Sequence, residues 1–104
     1  MFEIKIDVIA VKGKSEGVAI YTVLQPDRYN RLEFANARTM HNKMFKYYCK
    51  QEWAFALTHI MELKGSFDGE LDYYYDMMTK RITGYMSDES FPKKWKGTFV
   101  ATSK

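Results

Sequence analysis

Cysteine is almost missing from this chain. Cys49 stands alone among 104 residues, so no intrachain disulfide can form, and its place in a helical pattern suits a buried structural thiol. No stretch approaches the roughly 20 consecutive apolar residues that a membrane span requires. Met1-Phe2-Glu3-Ile4-Lys5 also lacks the unbroken apolar core of a signal peptide, so a cytoplasmic protein without membrane association is expected. Charge of one sign is scarce as well. The net charge is only +3, with lysines near the first turn (Lys12, Lys14) and in the tail (Lys93, Lys94, Lys96, Lys104), and an acidic middle at Glu62, Asp68, Glu70, Asp72 and Asp76. That dipolar pattern suits head-to-tail or intrachain contacts at least as well as nucleic acid.

Apolar side chains are plentiful. At 46% apolar and 16% aromatic, the composition supplies the area that offsets ordering entropy, which excludes intrinsic disorder. A chain of this length makes one domain with a thin core, burying about 60 to 65% of its unfolded surface.

The pattern along the chain predicts an α+β fold. Residues 2–11 alternate, with Phe2, Ile4, Ile6 and Val8 on one face and Glu3, Lys5 and Asp7 on the other, as in a half-buried strand. Turn residues at 13–17 and the β-branched run Val18-Ala19-Ile20-Tyr21-Thr22-Val23-Leu24 complete a β-hairpin over residues 1–25. Pro26-Asp27 ends it, because proline donates no ladder hydrogen bond. A helical part follows over 29–87. A first helix is predicted from about Tyr29 to Lys50, with Ala37, Met40, Met44, Tyr47 and Tyr48 on one stripe and Phe34, His41 and Phe45 on another. Trp53, Ala56, Leu57, Ile60 and Leu63 mark a short second helix that stops at Lys64-Gly65. Leu71, Tyr74, Tyr75, Met78, Ile82, Tyr85 and Met86 mark a third, with Glu70 and Asp72 at the positive end of its dipole. Residues 91–104 form a tail containing a short extended segment or strand at Thr98 to Thr102.

Two separated strings have a family likeness. Residues 7–24, with Val11-Lys12-Gly13-Lys14 at the turn and Tyr21 in the returning strand, closely resemble the last hairpin of the class III adenylyl/guanylyl cyclase catalytic domain. Residues 91–104, Phe91-Pro92-Lys93-Lys94-Trp95-Lys96-Gly97-Thr98 and onward to Thr102-Ser103-Lys104, resemble the proline-tryptophan-glycine tail that closes many bacterial cyclases of this class. Between them, Phe45 to Leu63 resembles the helical pair these cyclases carry, itself similar to one tetratricopeptide repeat, with Tyr47 and Ala56 nine residues apart. The matches keep the family's order and cover about two thirds of the chain. Gly17 stands where the family usually has proline or another residue, and Lys96 where it often has aspartate.

The resemblance carries implications for chemistry. Cyclisation of a nucleoside triphosphate needs carboxylates that hold two divalent metals, and in the family these aspartates and the transition-state asparagine and arginine lie upstream of the hairpin. The resemblance therefore implies no catalytic or metal-binding residues here and no cofactor. Lys12 corresponds to a lysine that contacts the triphosphate, so Lys12 and, beside it, Lys14 are the candidate phosphate ligands. Without a metal, a helix N-terminus or a glycine-rich cradle, such an anion site is weak.

Read from the residues themselves, other chemistry finds little support. Asp68, Glu70, Asp72 and Asp76 fit helix-start charges and a solvated face better than a metal site. His41, Cys49 and His59 lack zinc-site spacing and suit packing or surface roles. Tyr47, Tyr48, Tyr73, Tyr74 and Tyr75 could stack bases, but their helical spacing favours core packing.

The expected function is a non-catalytic, cyclase-related accessory or regulatory module acting by protein contact. A two-stranded hairpin is marginal in water, so its apolar face and open edges need cover from the chain's own helices, a second copy or a cyclase domain. Phe2, Ile4, Ile6, Val8, Ile20, Trp95 and Phe99 are the candidate contact residues, and a homodimer is expected. The alternatives are a nucleotide-phosphate-binding regulator using Lys12 and a weak nucleic-acid-binding protein.

Overall fold

The computed structural model describes residues 2–11 and 16–101, and the side chains at 2, 26 and 101 are not among the described atoms. The fold is α+β. Strand β1 (Phe2–Val11) pairs antiparallel with β2 (Val18–Leu24), and a one-turn 3₁₀ segment at Pro26–Arg28 leads into helix α1 (Arg31–Cys49). Helix α2 (Trp53–Leu63), a second 3₁₀ turn at Ser66–Gly69, helix α3 (Asp72–Ser87) and strand β3 (Thr98–Ala101) follow. β3 is parallel to β1, so the sheet order is β2-β1-β3 and the strand that opens the chain lies in the middle.

Local chemistry accounts for the helix ends. The Asn30 side chain accepts hydrogen bonds from the backbone N–H groups of Leu32 (3.0 Å) and Glu33 (3.1 Å), satisfying two donors that the first turn of α1 leaves unpaired. α2 stops where Gly65 takes a φ of 91°, a left-handed conformation that favours glycine. The following turn holds Phe67 and Asp68 at φ 55° and 58°. Left-handed backbone costs an L-residue about 1–2 kcal/mol, and the buried Phe67 ring, packed edge-on against Phe34, offsets it.

The three helices bury one continuous apolar layer against the sheet. Ile4 and Leu24 supply the strand side, and Met44, Tyr48, Ile60 and Ile82 are among the fully buried helix residues facing them. At the C-terminal end, Tyr48, Trp53, Tyr85, Phe91 and Trp95 make a cluster of stacked, tilted and edge-to-face rings with centroids 4.4–6.5 Å apart. Gly97 turns the chain into β3 with φ 116°, and a Cβ there would lie 2.5 Å from the Cys49 sulfur, so this close approach needs glycine. The tail is thereby tied to the end of α1.

The hairpin departs from simple alternation. β1 carries a bulge between Lys5 and Asp7: Lys5 pairs with Tyr21 and Asp7 with the adjacent Ile20, leaving Ile6 without an opposite residue. The extra residue reverses the faces beyond it, so Asp7 is not on the solvent face that alternation from Glu3 predicts. It is buried, 5% exposed, because the bulge turns it inward.

Candidate functional site

The bulge organises the largest set of polar groups inside the molecule. Skipping one ladder position leaves backbone carbonyls at Lys5 and Ile6 to be satisfied by side chains, and the helices supply them. His41 of α1, fully buried, donates from Nε2 to the Lys5 carbonyl oxygen at 2.8 Å. That bond fixes the tautomer, so Nδ1 accepts from the Tyr75 hydroxyl at 2.8 Å. Tyr74, next to it on α3, donates to the Ile6 carbonyl oxygen at 2.7 Å. Asp7 Oδ1 accepts from the Val8 backbone N–H at 2.9 Å, and its Oδ2 accepts from Arg81 Nη1 at 2.9 Å. The same Arg81 nitrogen reaches the Tyr48 hydroxyl at 3.1 Å, while its guanidinium lies 4.0 Å from the centre of the Phe99 ring.

Burial sets the protonation states. It lowers the His41 pKa, against a smaller opposing effect of the Lys5 carbonyl bond, so the imidazole is neutral near pH 7. It pushes the Tyr48, Tyr74 and Tyr75 hydroxyls well above their usual range, despite Arg81 acting to lower those of Tyr48 and Tyr74. The Cys49 thiol is also raised, chiefly by burial. What this arrangement does is mechanical. It holds a bent central strand between α1 and α3, with each named polar atom bonded to another group of the chain.

Most of the remaining polar features are at the surface, the buried Tyr29 hydroxyl excepted. A groove of about 760 Å³ runs between the start of α1 and the 62–68 segment, with Tyr29, Phe34 and Phe67 along it. Its two cations are engaged, Arg28 with Glu70 at 3.2 Å and Lys64 with Asp76. Asp72 accepts from the Gly65 backbone N–H at 2.8 Å, and Asp68 is exposed. Among the described residues no group of three or more histidine, cysteine or acidic side chains is arranged to hold a metal ion. Among the described residues no helix is long and apolar enough to cross a membrane.

The residues expected at a site are scattered by the structure. Lys12 and Lys14 lie outside the described residues, and so does the Phe2 side chain. Ile4 is in the core beneath the helices, with Ile6 and Val8 half-buried against it. Ile20 is half-buried on β2, Trp95 sits in the aromatic cluster, and Phe99 lies under Arg81. The large apolar residues left exposed on the hairpin are different ones: Val11 (57% exposed) of β1, and Val18 (66%), Tyr21 (47%) and Val23 (53%) of β2. β2 is an outer strand whose second edge pairs with no strand among the described residues.

Sequence reasoning missed the Asp7–Arg81 pair and the bonding role of His41. A signal for each was present: Arg81 and His41 both fall on the apolar stripes of their helices, and Asp7 sits between Ile6 and Val8 in an otherwise apolar run.

No family model matches the chain, and no curated protein or solved structure does either.

Proposed function

We propose that this chain is a non-catalytic, cyclase-related accessory module of the cytosol that acts by protein contact, adding its β2 edge to another β-sheet. The observation that carries this reading is the character of that edge. Outer strands are normally kept from pairing by lysine, proline, an inward-pointing charge, a bulge or great shortness. Val18–Leu24 has none of these: seven residues, no charge, no proline, and a regular course, the bulge being in β1. It exposes Val18, Tyr21 and Val23 to water instead. Such an edge presents a row of backbone donors and acceptors ready for strand addition.

The resemblance to the cyclase C-terminal region supports the same reading. The two strings that carry it lie side by side in the sheet through the pairing of β1 with β3. A cyclase sheet and a second copy of the chain are therefore the two partners considered.

Amide hydrogen exchange tests it. In the chain at micromolar concentration, alone or mixed with a purified class III cyclase catalytic domain, the amides of residues 18–24 that point away from β1 should be protected in at least one sample, and Val23→Lys should abolish that protection. Exchange at free-edge rates in both samples overturns the proposal, as does production of cyclic AMP or cyclic GMP from ATP or GTP by the purified chain.

A further inference from the structure

The geometry points to a second copy of this chain as the partner, joined by antiparallel pairing of β2 with β2 about a twofold axis through Tyr21. This deepens the proposed use of the β2 edge and rests on it.

Symmetry narrows the choices. Two identical strands pair antiparallel around a twofold perpendicular to the sheet only when one residue lies opposite its own copy, since side chains alternate between faces and opposed residues must share a face. Within Val18–Leu24 three centres give more than a short overlap. A centre at Thr22 brings Pro26 opposite Val18, where the missing N–H breaks the ladder. A centre at Ile20 sets Leu24 against Glu16 and Val23 against Gly17, outside the strand. A centre at Tyr21 uses the whole strand: Val18 opposes Leu24, Ala19 opposes Val23, Ile20 opposes Thr22, and Tyr21 opposes itself. Every opposed pair is uncharged and all but the alanine are β-branched, aromatic or aliphatic, the types that stabilise cross-strand contacts.

The exposed side chains fit the same axis. β2 is regular, with Leu24 buried toward the helices, so Ala19, Tyr21 and Val23 share the face turned away from them. In the dimer the two Tyr21 rings meet at the axis, and each Val23 covers an Ala19 of the other copy. The product is one six-stranded sheet, ordered β3-β1-β2-β2-β1-β3, with both helical layers on the same side. Val18–Leu24 carries no charge, so no like charges oppose one another across the junction.

A cysteine crosslink reads the register directly. Opposed Cα atoms in an antiparallel pair lie roughly 4.5–5.5 Å apart, within disulfide reach. In a Cys49→Ser background, Tyr21→Cys should oxidise to a covalent dimer, whereas Thr39→Cys, exposed on α1, should remain monomeric. Sedimentation equilibrium of the unaltered chain should give twice the chain mass of 12.3 kDa at tens of micromolar, and Tyr21→Lys with Val23→Lys should halve that mass without changing the far-ultraviolet circular dichroism. A monomeric mass for the unaltered chain overturns the inference, as does equal crosslinking at Thr39. If the chain is monomeric while a cyclase domain still protects residues 18–24 from exchange, the second-copy inference falls and the wider reading stands. If the amides of residues 18–24 that point away from β1 are unprotected in every sample, both fall.

Discussion

His41 shows how a single side chain can serve as both brace and weak point. Its ring spans from the Lys5 carbonyl to the Tyr75 hydroxyl with no contact to solvent, and it does so as a neutral imidazole. In the unfolded chain the same ring titrates near its ordinary value of 6.5, whereas burial lowers its folded value. As pH falls below about 6.5, the unfolded state takes up a proton that the folded state does not, so stability declines on acidification through that window. The urea midpoint should drop between pH 7.5 and 5.5, and a His41→Gln variant, less stable at pH 7.5, should show a flatter profile over the same range. An unchanged slope in the variant would assign the acid sensitivity to other groups. The sequence showed that His41 lay on a buried stripe but not its partners. Those depend on the bulge at Ile6, and a bulge is decided by what packs against the strand, not by the strand's own residues. The same holds for Asp7. Alternation from Glu3 assigns it to water, and only the shift in register, together with Arg81 arriving from α3, explains a buried carboxylate.

Among the elements, the helices were the most legible, because apolar residues recurring every three or four positions leave few alternatives. α2 begins and ends at the expected Trp53 and Leu63, while α1 is shorter than expected by two residues at its start and one at its end. The capping of α1 by Asn30 explains the later start: a residue with extended φ and ψ whose side chain bonds two amides closes the helix just behind it. Asn30→Ala should cost about 1 kcal/mol, lowering the thermal midpoint by about 5 °C, with no change in secondary structure by circular dichroism. Asn30→Asp, whose carboxylate can accept the same two bonds, should avoid most of that loss. The strands were legible as strands, yet their use was not. Alternation and the need to cover a lone hairpin nominated Ile4, Ile6 and Val8 for contact; the structure buries Ile4 in the core with Ile6 and Val8 half-buried against it, and leaves Tyr21 and Val23 at the surface. Which face of a hairpin is covered depends on where the helices return, and that is a tertiary fact.

On the scale of the whole molecule, the aromatic cluster holds the tail in register. Trp95 packs on Tyr48, Trp53, Tyr85 and Phe91, and its indole N–H donates to the Thr98 carbonyl oxygen at 2.6 Å. It thus joins the end of α1, the end of α3 and the start of β3. Trp95→Ala should destabilise the fold by about 3 kcal/mol through lost packing. It should also raise hydrogen exchange in β3 more than in α2, which a uniform loss of stability would not do. The run Thr98 to Thr102 suggested an extended segment or strand in the tail, but the sequence could not specify a parallel one. Parallel pairing needs the intervening helices to carry the chain back across the sheet, and their directions follow from packing.

The central position of β1 has a consequence for synthesis. This strand is made before the helices and before β3, one of its two neighbours, which is encoded nearly ninety residues later. During translation it can form only the hairpin with β2, and the far side of β1 has no strand to meet until Thr98–Ala101 exists. Local helices therefore have time to form first, and closing the sheet is the final, long-range step. In that interval two nascent chains expose complementary ribbons of unpaired backbone, which makes crowded polysomes the setting in which a wrong exchange of strands would begin.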